Sequence, residues 1–150
     1  MNDWIWKRFT QLSQREVYEI AKARQKVFVV EQKCAFLDID DLDYHAWHLF
    51  QTGNGGEVIA YLRVMESGGK FTEPTIGRLL TCGSGRGTGM GRELMAQGIS
   101  RARGLFPGQT IWIAAQQYLE GFYSGFGFLR TGKPYLDDGI YHIDMYLAPG

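Results

Sequence analysis

The chain has 150 residues, with sixteen Lys/Arg balancing sixteen Asp/Glu and a formal net charge of +0. A hydrophobic content of 45% with 14% aromatic residues excludes a disordered chain and predicts one domain over 1–150 with a real core. The balanced charge provides no field to collect nucleic acid or an anionic membrane, and no apolar run approaches the ~20 residues of a membrane helix.

Trp4 to Phe9 reads as a first strand. Ser13 precedes Glu16 by three, the spacing of a capping box, and Val17, Ile20, Ala21, Val27 and Phe28 then recur with helical period. This predicts a helix from about Gln14 to Val30. Glu31 to Tyr44 holds Asp38, Asp40, Asp41 and Asp43 and is expected to be an acidic loop. Two strand patterns follow, Trp47–Phe50 and Val58–Val64, joined by Gly53-Asn54-Gly55-Gly56, a hairpin signal. Ser67-Gly68-Gly69-Lys70 leads to the strand Ile76–Cys82. A helix is expected from about Met90 to Arg103, ended by Gly104 and Pro107-Gly108. Thr110–Ala115 is apolar throughout, the pattern of a buried parallel strand. Tyr118–Ser124 reads as a short helix weakened by Gly121; Phe126–Leu129 and Tyr141–Leu147 read as the last strands, with Asp137-Asp138-Gly139 as their turn. The expected order is β-α-β-β-β-α-β-α-β-β, one mixed α/β sheet.

Between the strand Ile76–Cys82 and the helix at Met90 lies Gly83-Ser84-Gly85-Arg86-Gly87-Thr88-Gly89-Met90-Gly91. Strand, glycine loop and helix together present free N–H groups and a positive dipole end to an anion. A P-loop is excluded, because Arg92-Glu93 follow Gly91 where lysine and Ser/Thr are needed. The Gly-x-Gly-x-x-Gly dinucleotide pattern fails in every register, its sixth position falling on Thr88, Met90, Arg92 or Leu94. Cys34 and Cys82 fit neither a disulfide framework nor a zinc spacing and are expected to be buried thiols of a reducing compartment. Met1 to Lys7 lacks the long apolar region of a signal peptide, so the expected location is cytoplasmic.

Arg86-Gly87-Thr88-Gly89-Met90-Gly91 resembles the pyrophosphate loop of the Gcn5-related N-acetyltransferases (GNAT superfamily), and Phe122-Tyr123-Ser124-Gly125-Phe126-Gly127-Phe128 resembles the motif that follows it. Val27–Cys34, the aspartate-rich loop and Asp138–Ile143 narrow the resemblance to the ElaA-type predicted acyltransferases, over Trp4 to Leu147. Gly121 departs from the family's frequent asparagine. The resemblance implies a GNAT fold: a mixed sheet flanked by helices, whose parallel strands Ile76–Cys82 and Thr110–Gln116 splay apart. It implies acetyl-CoA as co-substrate and no metal. The backbone of Leu79, Leu80 and Thr81 would bind the pantetheine arm, and N–H groups from Arg86, Gly87, Thr88, Gly89, Met90 and Gly91 the pyrophosphate.

The implied reaction is direct attack of an amine on the thioester, with Tyr123 protonating or hydrogen-bonding the leaving sulfur. A general base must take the amine's proton. His48 and His142 match histidines of the ElaA-type pattern and rank first, Glu31 next, and Asp38, Asp40, Asp41 and Asp43 last; either histidine is equally readable as structural. The acidic loop could be a solvated turn or a lure for a cationic amine. The expected partner is a small-molecule or peptide amine, with a homodimer also compatible. A non-catalytic acyl-CoA-binding module is the alternative function.

Overall fold

The computed structural model describes residues 3–150; Met1 and Asn2, on which part of the signal-peptide expectation rests, lie outside the described residues. The strands are β1 (Ile5–Arg8), β2 (Trp47–Thr52), β3 (Val58–Met65), β4 (Thr75–Thr81), β5 (Ile111–Gln116), β6 (Leu129–Asp137) and β7 (Ile140–Leu147). They form one sheet in the order β1-β2-β3-β4-β5-β7-β6, in which β4 and β5 are parallel and the other neighbours antiparallel. The helices are α1 (Gln14–Arg24), α2 (Met90–Leu105) and α3 (Glu120–Ser124). The element order is the expected one. Among the described residues no helix is long and apolar enough to cross a membrane.

The Ser13 box starts α1: Ser13 Oγ accepts from the Glu16 N–H at 3.0 Å, and Glu16 Oε1 accepts from the Ser13 N–H at 2.8 Å. Ile20 and Ala23 of α1, with Val27 beyond it, pack against Phe50, Val58, Tyr61 and Leu80. On the other layer, Leu94, Met95, Ile99 and Ala102 of α2 close the core with Leu62, Val64, Ile113 and Met145. The sheet is therefore buried from both sides where β3 runs, and every residue of β3 is buried.

Three boundaries differ from expectation. The first helix does not continue as α-helix to Val30; after Arg24 it widens into a π-helix over Gln25–Glu31. Gly104 does not stop α2, which runs on to Leu105 and ends where Phe106 leaves helical geometry and enters the core. The sixth strand is Leu129–Asp137 rather than Phe126–Leu129, because Phe126 and Phe128 turn their rings into the core before the strand begins. Its exposed sequence contains Gly132 and Pro134, which an edge strand tolerates. Asp138 and Gly139, at φ 50 and 78, make the two-residue turn to β7.

Gly121 sits in α3, exposed, with nothing within 4 Å of an added Cβ. Gly121→Ala should raise stability by about 0.5–1 kcal/mol, a gain of a few degrees in a thermal melt of this size of domain. An unchanged or lower Tm would contradict this account of α3.

The feature that positions everything else is the contact between β4 and β5. Their ladder consists of one register pair, Thr75↔Trp112, with the Trp112 N–H donating to the Pro74 carbonyl at 2.8 Å. Beyond it the strands part. β4 also carries a bulge: the register moves from Arg63↔Gly77 to Tyr61↔Leu80, so Arg78 and Leu79 together stand opposite Leu62. Arg78 takes φ 55, the left-handed region.

Candidate active site

A cavity of ≈ 400 Å³ fills the split. One wall is Gly77 to Thr81 of β4; facing it are Ile113, Ala114 and Gln116 of β5. Cys34, Phe36, Leu37 and Asp38, Phe122 and Tyr123 of α3, and Asp137, Asp138, Ile140 and His142 of the last hairpin also line it. The alternation of β5, with Ile111, Ile113 and Ala115 buried and Ala114 exposed, replaces the uniform burial expected of it. A parallel neighbour that departs after one pair leaves that strand an open flank.

At one end of the split stands the glycine loop. Gly85 lies so close to β3 that a Cβ would be 2.6 Å from the Ile59 carbonyl oxygen, so only glycine fits. Gly89, at φ 79, caps α2, and the first bond across this cap runs from the Glu93 N–H to the Gly89 carbonyl. The amides of Met90, Gly91 and Arg92 precede that ladder and point outward at the positive end of a 16-residue helix. Thr88 Oγ1 donates to the Gly85 carbonyl at 2.8 Å and braces the turn. Arg86 Nε donates to the Thr81 carbonyl at 3.0 Å, while its terminal nitrogen pairs with Glu31 at 2.5 Å. The donor set fits a pyrophosphate: backbone N–H groups, a dipole end and an arginine.

Tyr123 lines the middle of the cavity and is 8% exposed. Burial, with a smaller contribution from Tyr118, pushes its phenol up to about 12. It therefore stays protonated, a donor, through the neutral range. His142 lines the same cavity from β7. Its Nδ1 lies 2.8 Å from the Ile140 carbonyl, which can only accept, so Nδ1 carries the proton and Nε2 of the neutral ring is left with a lone pair. The ring stacks on Tyr135 at 6.0 Å, and Tyr135 is in turn fixed by Asp144 at 2.6 Å. Gln116, the register partner of His142, exchanges amide hydrogen bonds with Gln32 at 3.2 and 3.4 Å, and both residues line the cavity.

Residues 10–149 match the acetyltransferase (GNAT) domain. The chain belongs to the GNAT family. It is 42% identical to a UPF0039 protein of Synechocystis over 143 residues, which is 95% of this chain and 93% of that one. The solved structure of Escherichia coli ElaA superposes with a TM-score of 0.90 at 32% identity, covering 98% of this chain and 99% of that one. A Pseudomonas aeruginosa acyl-CoA N-acyltransferase gives 0.89 at 33%, covering 97% and 99%. The GNAT family works with acyl-CoA, and the glycine loop and split described here suit such a co-substrate.

Within this GNAT chain the expected base candidates separate. His142 and Tyr123 share the cavity with Leu79, Leu80, Thr81, Arg86 and Gly91. His48 does not join them. It is 2% exposed, with Nδ1 2.7 Å from the Tyr61 hydroxyl and Nε2 2.9 Å from the Asp43 carbonyl, and burial lowers its pKa. Both nitrogens are engaged in the core, so His48 is a structural histidine. Glu31 is committed to Arg86 and is not part of the cavity wall.

The acidic loop is corrected most. Asp38, Asp40 and Asp43 are not a lure for a cation, because Arg24, Arg63 and Arg78 already neutralise them. Arg24 reaches Asp38 at 2.7 Å and Asp43 at 2.6 Å; Arg63 grips both oxygens of Asp40 at 2.7 Å and Asp43 at 2.9 Å; Arg78 reaches Asp38 at 2.7 Å. Burial alone would raise the Asp40 and Asp43 carboxyls, but the arginines outweigh it and hold both below their ordinary range. The available signal was an arginine inside each of three otherwise apolar patterns, opposite an aspartate-rich loop.

Proposed function

We propose that this chain transfers an acetyl group from acetyl-CoA to an amine acceptor by direct attack. The observation that carries this reading is one cavity lined by Arg86 and Gly91 of the glycine loop, by the buried Tyr123 phenol and by the His142 imidazole, whose Nδ1 is held by the Ile140 carbonyl. Acetyl-CoA supplies an activated acyl carbon and an anionic tail. The Arg86 amide is taken by the Gly83 carbonyl at 3.2 Å, so the amides from Gly87 to Gly91 hold that tail, and the edge of β4 at Leu79, Leu80 and Thr81 supplies donors and acceptors to an extended arm. His142 Nε2 takes the proton of the incoming amine. Tyr123 donates a hydrogen bond to the departing sulfur. A phenol at about 12 is a weaker acid than a thiol near ~8.5. Tyr123 therefore stabilises the thiolate without surrendering its proton for good.

The test is transfer of radiolabelled acetyl from acetyl-CoA across a panel of amines, peptides and amino acids. Labelled product is the expected result. Tight coenzyme A binding with no product on any acceptor would leave a sensing module instead. His142→Ala should lower turnover by about 10²-fold at neutral pH. The deficit should shrink as the pH nears the acceptor's own pKa, about 10 for a lysine-type amine. A constant deficit at all pH values would remove His142 from the base role.

A further inference from the structure

Among the described residues, Arg78 is the one place where backbone strain, a register shift and the cavity coincide. Its φ of 55 puts a long side chain in a region that favours glycine. Such a conformation is costly for a residue with a side chain and persists only where the surroundings impose it. The surroundings here are specific: Arg78 Nε meets Asp38 Oδ1 at 2.7 Å, and its terminal nitrogen meets the Asp38 carbonyl at 3.2 Å and Asp40 Oδ2 at 3.3 Å. These anchors are themselves fixed. Asp38 is bound by Arg24, 1% exposed, and Asp40 by both arms of Arg63, 3% exposed. The guanidinium of Arg78 is thus tied through two aspartates to α1 and to β3.

Two cavity surfaces depend on that tie. One is the bulge itself, because Gly77, Arg78, Leu79 and Leu80 line the cavity where β5 no longer pairs with β4. A bulge takes its extra residue out of the ladder, which leaves backbone amides there without a strand partner. The other is the wall at Phe36, Leu37 and Asp38. Phe36 is 54% and Leu37 88% exposed, so the core does not hold this wall; the Asp38 contacts do.

We propose that Arg78 is a positioning residue: its guanidinium, clamped to Asp38 and Asp40, aims the β4 bulge amides at the thioester carbonyl and fixes the facing wall at Phe36–Asp38 in the same register. This rests on the acyltransferase reading, since the carbonyl belongs to the acyl donor. Donors aimed in advance at a carbonyl that gains negative charge accelerate acyl transfer, and the aim must be held by something. Here it is held by a side chain of the bulge residue itself.

The experiment uses the full chain and acetyl-CoA labelled with ¹³C at the carbonyl, so no acceptor needs to be known. In the wild type the bound carbonyl resonance should lie downfield of its free position, the signature of a hydrogen-bonded carbonyl. Arg78→Gly keeps a backbone that accepts positive φ but removes the clamp. It should lose most of the downfield displacement while still binding coenzyme A, which has no acetyl carbonyl. Turnover on any accepted amine should fall about 10- to 100-fold, by more than KM for acetyl-CoA rises. Arg78→Lys, which cannot bridge two aspartates as a planar fork does, serves if the glycine variant fails to fold, and should lose part of the displacement. Retention of the displacement and turnover in a folded variant would overturn the proposal. So would a wild-type complex with no displacement. Failure of the wild type to bind acetyl-CoA at all would instead overturn the acyltransferase reading.

Discussion

Replacing Arg24 with methionine should destabilise the chain by about 3–5 kcal/mol, because it leaves buried carboxylates without their counter-charge. Arg24 is 1% exposed, and its three contacts reach Asp38 twice and Asp43 once. Methionine roughly fills the volume, so the loss measured by urea unfolding at pH 7 would report the charge rather than a cavity. A loss below about 1 kcal/mol, the scale of an exposed pair, would mean the cluster is solvated in solution. The same cluster sets the response to acid. The Asp40 and Asp43 carboxyls lie below their ordinary range in the folded chain. Their contribution is therefore fully present above the unfolded carboxylate value, near ~3.9. It is lost as the pH falls through that value toward the folded one. Asp43→Asn should unfold at lower urea at pH 7 and show a shallower decline between pH 5 and 3, by an amount that identifies the share of this one carboxylate.

Tyr123→Phe should lower kcat by about 10- to 100-fold, the value of a hydrogen bond of about 1.5–3 kcal/mol to a charged acceptor. Affinity for acetyl-CoA should be unchanged, because the thiolate exists only once the bond breaks. The ring packs against Phe122 and Phe128, both edge-on, and a phenyl keeps those contacts. Since burial holds the phenol at about 12, the wild-type rate should not fall between pH 8 and 10 through ionisation of this group. Full activity in the phenylalanine variant would assign departure of the sulfur to water or to backbone donors alone.

Much of this was legible in the residues. Ser13 and Glu16, Gly53–Gly56 and Asp138-Gly139 each specify a local geometry that no tertiary contact overrides. Gly87 and Gly89, at φ 72 and 79, likewise follow from local backbone requirements, whereas Gly85 is required by the approach of the Ile59 carbonyl. Three things were not legible. A π-helix over Gln25–Glu31 differs from an α-helix by about one residue per turn, too little to change an apolar pattern within seven positions. The strand at Leu129–Asp137 is set by edge pairing with β7, while its own residues are mostly exposed and carry no alternation. The partners of Asp38, Asp40 and Asp43 lie 14 to 40 positions away on α1, β3 and β4, and nothing local in the loop distinguishes a neutralised cluster from a bare one. The place of His48 outside the cavity was hidden for a related reason: only the fold shows that Tyr61 and the Asp43 carbonyl occupy its two nitrogens.

A sheet that opens after a single parallel pair has edges in its interior. Unpaired strand edges invite any extended chain to dock, and exposed ones are a route to aggregation. In this molecule β4 and β5 face each other across a gap that Cys34, Phe36, Leu37, Asp38 and the hydrogen-bonded Gln32–Gln116 amide pair also line. The opening that makes room for a guest is therefore also the place where the sheet is least protected by its own hydrogen bonds.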